Sequence, residues 1–271
     1  MRLFVALACV TGLAAQQIGA SRTALLTVVD GRGRSIVDIE ADDFVVREAG
    51  TTRDVLSVRV ADYPVALVLD NGRGAGRDFD AIRDSATRFV GRIGRRPVGV
   101  ALADPPALIA TFDDERTVVN ERLDQAAAGT STEGIFQAIV IAARALAETG
   151  APFSAIVVVS SAPLGAVPNE LLTPILDSGA AVHVIVNGAA GASASQARSA
   201  ETLRTLTDQT HGLFTTIYSP QSYAVALDRL ADRLAPELMV EYVVPAGSPN
   251  NGNAQLGVRI PGARVNGIAI K

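Results

Sequence analysis

Residues 65–78, VALVLDNGRGAGRD, carry an apolar run into Asp70 and then spread Gly72, Gly74 and Gly76 along a polar loop. An acid at a strand end beside a glycine-rich turn can belong to a nucleotide cradle, to a metal site or to the remnant of one. The spacing argues against the first. The glycines fall as G-x-G-x-G, and Arg77 stands where the dinucleotide fingerprint needs its third glycine for helix packing. No Gly-Lys-Ser/Thr follows to make a P-loop.

Few other residues could do chemistry. His183 lies in the alternating run AVHVIV, which predicts a half-buried, hydrogen-bonded imidazole. His211 precedes Gly212 at a predicted helix end, where a turn or dipole complementation accounts for it. Ser160 and Ser161 end the run SAIVVVSS, a place where nucleophiles can sit, but no base is identifiable near them and no G-x-S-x-G elbow occurs. Residues 191–195, GASAS, read as a flexible small-residue loop. Asp78, Asp80 and Asp84 are assigned to a helix start, and Asp113, Asp114 and Glu115 to a hairpin edge. The expectation is a protein without catalytic activity and without a cofactor.

Charge narrows the partners. The chain of 271 residues carries a formal charge of −4 with no concentrated basic face, which argues against a nucleic-acid or anionic-membrane partner. Its one dense basic cluster, Arg92, Arg95 and Arg96, is expected as solvated cations at a helix end. With 48% hydrophobic and 19% charged residues, the chain has the balance of a globular core. Residues 1–16 place Arg2 before an apolar run of about a dozen residues and then the small residues Gly12, Ala14 and Ala15, the pattern of a secretory signal peptide. The mature protein is therefore expected to be secreted or periplasmic. Cleavage after Ala14 or Ala15 would remove Cys9, the only cysteine, and with it any disulfide or thiolate site. No later segment reaches 18 uninterrupted apolar residues, so no transmembrane span is expected after the signal peptide.

The elements that must position Asp70 and its neighbours fall into three segments. Residues 22–62 show short β-like runs separated by turn-rich DGRGRS and EAGTTR. Residues 64–236 alternate apolar strands with amphipathic helices, which predicts a mostly parallel sheet covered on both faces. Within them VALVLD, SAIVVVSS and AVHVIV read as buried strands, VGVALAD and ALIATFDD as a strand pair turning at 104–106, and 133–149 as a long helix. Ser219 reads as the N-cap of a last helix that Pro236 ends. Residues 237–271 return to β character and are expected to pack with the first segment, since neither alone has enough strands to bury a face.

The order of these motifs resembles the von Willebrand factor A domain over about 170 residues: VALVLDNGRG, then VGVALADPPALIATFDD, AAGTSTEGIFQAI, AIVVVSSAPLG, and finally GAAVHVIVNG with LRTLTDQTHGLFTTI. The resemblance implies a three-layer, Rossmann-like α/β fold. It also implies a rim where an aspartate and two serines of the first loop, a threonine of the second and an aspartate of the third hold a magnesium ion that engages an acidic group of a partner. Carried over, Asp70 matches the first aspartate and Thr130 the threonine, while Gly72 and Gly74 replace the serines and Ser161 replaces the last aspartate. That leaves one carboxylate and vestigial positions at Asp70 and Thr130, too little charge for a specific divalent site. Asp70 is then expected to be satisfied by hydrogen bonds within the loops. The flanks also resemble those of secreted bacterial proteins with A-type domains. The expected function is non-catalytic binding of another protein through Asp70, Asn71, Gly72, Arg73, Gly74, Thr130, Ser131, Ser160 and Ser161. A structural component of an envelope assembly is the alternative, and a hydrolase a further one.

Overall fold

The computed structural model describes residues 20–48, 50–131, 134–164, 168–188, 194–245 and 254–271. The expected signal peptide, Cys9, Glu133 and most of the GASAS loop lie outside them.

Two interlocked parts emerge. In the first, the strands β1 (Ala20–Val29), β2 (Phe44–Glu48), β3 (Thr51–Arg53) and β4 (Val55–Val60) combine with carboxyl-terminal strands β11 (Leu238–Val244), β12 (Ala254–Val258) and β13 (Arg264–Ile270). They form two sheets, β13-β1-β11-β4 and β12-β2-β3. Strand β1 shows why: its residues alternate between buried and partly exposed, so Ala24, Leu26 and Val28 face one core with Phe44, Val46, Val240 and Tyr242. Arg22 pairs with Glu48 inside this module, with the Nε of Arg53 3.6 Å from the same carboxylate.

The second part is a six-stranded sheet in the order β10-β9-β8-β5-β6-β7. Its strands are β5 (Val65–Leu69), β6 (Val98–Ala103), β7 (Pro106–Ala110), β8 (Ala155–Ser160), β9 (Ala181–Asn187) and β10 (Phe214–Ile217). Only β7 runs antiparallel. Strands β5, β6 and β8 are buried along their whole length, which is what an interior parallel strand requires of a continuous apolar run. Helices α1 (Phe79–Arg92), α2 (Arg116–Gln125) and α6 (Ser222–Leu234) cover one face. Helices α3 (Ile135–Glu148), α4 (Asn169–Asp177) and α5 (Ala194–Gln209) cover the other. This is the three-layer α/β architecture.

The structure corrects four expectations. Helix α2 has no counterpart in the sequence reading, because only Val119 and Leu123 are buried along its polar length. Helix α6 starts at Ser222 rather than beside Ser219, whose carbonyl instead accepts the Ser222 N–H in a preceding turn. Arg96 is not solvated: it is buried, donating to the Ile93 and Leu234 carbonyls and to Glu237, with its guanidinium 4.6 Å from the Tyr63 ring centre. His183 is not half-buried and satisfied; it is buried and neither ring nitrogen has a partner.

Candidate functional site

Strand order locates the site. From β5 the chain passes to β6 on one side, while β8 lies on the other, so β5 and β8 flank the point where connections diverge. Crossovers leave a crevice outside the carboxyl ends of such strands. Asp70 follows the last residue of β5, Asp104 follows β6, and Ser160 ends β8. The Asp70 N–H continues the ladder onto the Val159 carbonyl at 2.9 Å, which sets Asp70 and Ser160 at adjoining strand ends.

Hydrogen bonds hold Asp70. Its Oδ2 accepts the Ser161 N–H at 3.1 Å and the Ser161 hydroxyl at 2.9 Å, and its Oδ1 accepts the Gly72 N–H at 3.2 Å. Ser160 Oγ stands 3.0 Å from Asp70 Oδ2 and 2.8 Å from the Ala162 carbonyl, and its one proton serves one of them at a time. Three donors therefore meet Oδ2, one of them shared with a carbonyl, and one meets Oδ1. The Tyr223 hydroxyl on α6 donates to the Ser160 carbonyl at 3.0 Å, tying the helix to the rim. Burial, together with the negative charges of Asp78 and Asp70, pushes the Tyr223 phenol well above its usual pKa.

A second carboxylate organises the other loops, and the sequence reading missed it. Asp104 Oδ2 accepts the N–H groups of Thr130 at 2.5 Å and Ser131 at 2.6 Å. A signal was available: the apolar runs VALVLD and VGVALAD both end in aspartate, and they fold as neighbouring parallel strands. Asn71 completes the clasp. Its Oδ1 accepts the Asp104 N–H at 2.7 Å, and its Nδ2 donates to the Asp104 and Ala127 carbonyls at 2.6 and 3.0 Å.

The expected contact residues therefore divide. Asp70, Gly72, Gly74, Ser131, Ser160 and Ser161 line one cleft of about 170 Å³, together with Asp104. Thr130 is not among them; it lines a neighbouring depression with Asn71 and Pro105, and Asp104 borders both. Asn71, Gly72 and Ser160 are buried. Arg73, Gly74, Thr130 and Ser131 are exposed, and Ser161 is half-exposed. Arg73 is held in place, its backbone N–H on the Ser131 carbonyl at 2.7 Å and its Nε on the Thr130 carbonyl at 2.8 Å. Among the described residues no carboxylate pairs with Arg73, and no three His, Cys, Asp or Glu side chains cluster as a metal site.

No family model matches the sequence, and no curated protein matches it significantly. Solved structures do. A von Willebrand factor type A protein from Catenulispora acidiphila superposes with a TM-score of 0.52 at 10% identity, covering 96% of this chain and 75% of that one. The vWF domain of the pilus tip protein Mfa5 from Porphyromonas gingivalis gives a TM-score of 0.49 at 12% identity over 64% of this chain and 95% of its own. The VWA domain of SpRpn10 gives 0.48 at 14% identity over 62% of this chain and 95% of its own. The chain has the fold of a von Willebrand factor A domain, and the likeness to the first structure extends over nearly its whole length. Among the described residues no helix is long and apolar enough to cross a membrane.

Proposed function

We propose that this is an exported, non-catalytic protein-binding domain whose contact surface is the loop rim beyond β5, β6 and β8, acting through polar contacts without a metal bridge. The observation that carries the reading is the hydrogen bonding of Asp70 by Gly72, Ser160 and Ser161. A cation at this carboxylate would have to displace donors that the protein already supplies.

The rest of the donor set points the same way. Gly72 and Gly74 bring no side-chain oxygen, Ser161 brings a hydroxyl in place of a carboxylate, and Asp104, the second carboxylate of the cleft, gives its Oδ2 to the N–H groups of Thr130 and Ser131. A Cβ at Gly72 would meet the Ser131 carbonyl oxygen at 2.6 Å, so the loop is built around the absence of a serine there. A magnesium ion, which needs near-octahedral oxygen ligation, does not fit these residues. The cleft of about 170 Å³ lies below the roughly 300–1,000 Å³ of small-molecule sites, favouring a macromolecular partner laid across the rim. Exposed Arg73, pinned by Thr130 and Ser131, supplies a preorganised guanidinium for such a partner. Non-catalytic action is supported by the serines: Ser160 and Ser161 turn their hydroxyls toward Asp70, and neither histidine lines their cleft. Export rests on the sequence of residues 1–16 alone.

The test is a cross-linked pull-down from native envelope or culture fluid with the exported chain as bait. Arg73→Glu combined with Ser131→Tyr should abolish capture, while Leu56→Lys on β4 should not. Capture that survives the rim changes and fails with Leu56→Lys would overturn the reading in favour of a scaffold that makes its contacts through the β module.

A further inference from the structure

The six-stranded sheet ends at β10, and this edge lacks the devices that guard other edges of the molecule. The Val184 N–H donates to the Leu213 carbonyl at 2.7 Å and the Gly188 N–H to the Ile217 carbonyl at 2.8 Å, so residues 213, 215 and 217 turn their backbone groups toward β9. The backbone N–H and C=O groups of Phe214, Thr216 and Tyr218 therefore point outward, and no described residue pairs with them. An open row of this kind invites another strand, and proteins blunt it with charge, proline or a bulge. At the opposite edge β7 opens with Pro106, and the ladders that hold the edge strands β4 and β13 are each broken by a register shift. Residues 213–219, LFTTIYS, contain no charged residue and no proline, and β10 meets β9 in unbroken register.

The side chains around this edge are as unguarded as its backbone. Leu213, Tyr218 and Val225, three of the exposed large apolar side chains of the described residues, line one cleft beside β10, and Tyr218 is 77% exposed. That cleft, of about 540 Å³, separates α6 from the strand. Clustered apolar exposure marks a contact surface more often than scattered exposure does.

Symmetry selects the occupant. A strand without charge gives no means of choosing a different sequence, whereas an antiparallel copy of β10 centred on Thr216 satisfies every outward group at once. Phe214 then pairs with Tyr218 of the second copy, Thr216 with Thr216 and Tyr218 with Phe214, each pair exchanging two backbone hydrogen bonds. Directly opposed residues share a face of the sheet, so the same register sets the exposed Tyr218 ring beside Phe214 and two threonines side by side, both favourable cross-strand pairs.

We propose that the protein forms a two-fold dimer by pairing β10 with β10 of a second copy, joining two six-stranded sheets into one. The dyad stands perpendicular to the sheet, so the carboxyl ends of the parallel strands, and with them the two loop rims, point in opposite directions. On the reading of the rim given above, such a dimer bridges two partner molecules rather than gripping one twice. The pairing itself does not depend on that reading.

Sedimentation equilibrium of the whole protein, at concentrations rising into the high micromolar range, tests this, because an interface this short belongs to the weak class. The average mass should climb from one chain toward two. Thr216→Lys and Thr216→Glu each set like charges against themselves across the dyad and should weaken association by about tenfold or more. An equimolar mixture of the two variants should dimerise again, since the charges are then opposite. Tyr218→Ser, at an exposed position that folding does not depend on, removes two aromatic pairs from the dimer and should weaken it by about fivefold or more. Leu56→Lys, on the edge strand β4, should leave it intact. A parent that stays monomeric, a dimer unmoved by the changes at Thr216 and Tyr218, Thr216 variants that remain monomeric when mixed, or a dimer lost in Leu56→Lys would overturn the proposal.

Discussion

The hydroxyl of Ser161 stands 2.9 Å from the carboxylate of Asp70, and the backbone N–H of the same serine lies 3.1 Å from the same oxygen. One residue thus places two donors on the acid from the strand next door. Asp70→Ala strands these and the Gly72 donor, while the Ser160 hydroxyl keeps the Ala162 carbonyl, and should cost about 2–4 kcal/mol of stability, since unmet buried donors cost about 1–3 kcal/mol each and some will find water. Urea denaturation measures it. A variant as stable as the parent would mean that the loops do not depend on this acid.

The same hydrogen bonds, which a cation would have to displace, predict indifference to divalent cations. A site of micromolar affinity would add roughly 4 kcal/mol at millimolar magnesium, by mass action on the folded state. No shift in the thermal midpoint is expected with millimolar magnesium or manganese. A rise that vanishes in Asp70→Ala would place an ion at the rim.

The two glycines of the first loop should respond differently to serine. A Cβ at Gly74 would sit 3.7 Å from the Ser161 hydroxyl, an ordinary contact, whereas at Gly72 it would press on the Ser131 carbonyl oxygen at 2.6 Å. Gly74→Ser is expected to be near neutral, and Gly72→Ser to cost about 1–3 kcal/mol as backbone gives way. Paired thermal melts decide it; equal effects would contradict the packing of loop against loop.

Arg96 offers a test at the junction of the two parts. It joins the carbonyls of Ile93 and Leu234 to Glu237, whose carboxylate also receives the Tyr63 hydroxyl at 2.5 Å. Burial raises the pKa of Glu237 against the opposing pull of Tyr63 and Arg96. Arg96→Met removes the cation and leaves that carboxyl enclosed, so a loss of about 3–5 kcal/mol is expected. Arg96→Lys should recover only part, because an ammonium cannot reproduce the planar fork or its stacking on Tyr63. Full recovery by lysine would show that charge alone is needed.

These residues also mark where the sequence was readable. The parallel sheet was legible because β5, β6 and β8 are buried on both sides and so become unbroken apolar runs. The order of the loops followed from the order of the strands. Helix α2 was not legible, since its buried residues Val119 and Leu123 are one turn apart and the rest of the helix is polar. The role of Asp104 depends on N–H groups of Thr130 and Ser131, 26 and 27 residues further on, which no local pattern announces. Arg96 looked like part of a solvated cluster because its partner Glu237 lies 141 residues away.

His183 was misread for a related reason. The alternation in AVHVIV suggested one wet face, but both faces of β9 are covered, and burial together with Arg233 lowers the ring's pKa from 6.5 to about 3. The sign of the consequence follows from proton counting. Between about pH 6.5 and about pH 3 the unfolded chain holds a proton here that the folded chain refuses, so stability should fall as pH drops through that window. The contribution is fully present above the unfolded value and erodes at up to about 1.4 kcal/mol per pH unit below it. Glu237 acts in the opposite sense, since its raised pKa lets the folded state hold a proton that the unfolded state has released. Comparing the parent with His183→Leu cancels that background. The stability difference between the two, read by urea denaturation from about pH 7 to about pH 4, should shift steadily in favour of the variant as pH falls. Parallel curves would show that the imidazole finds water or a partner in solution.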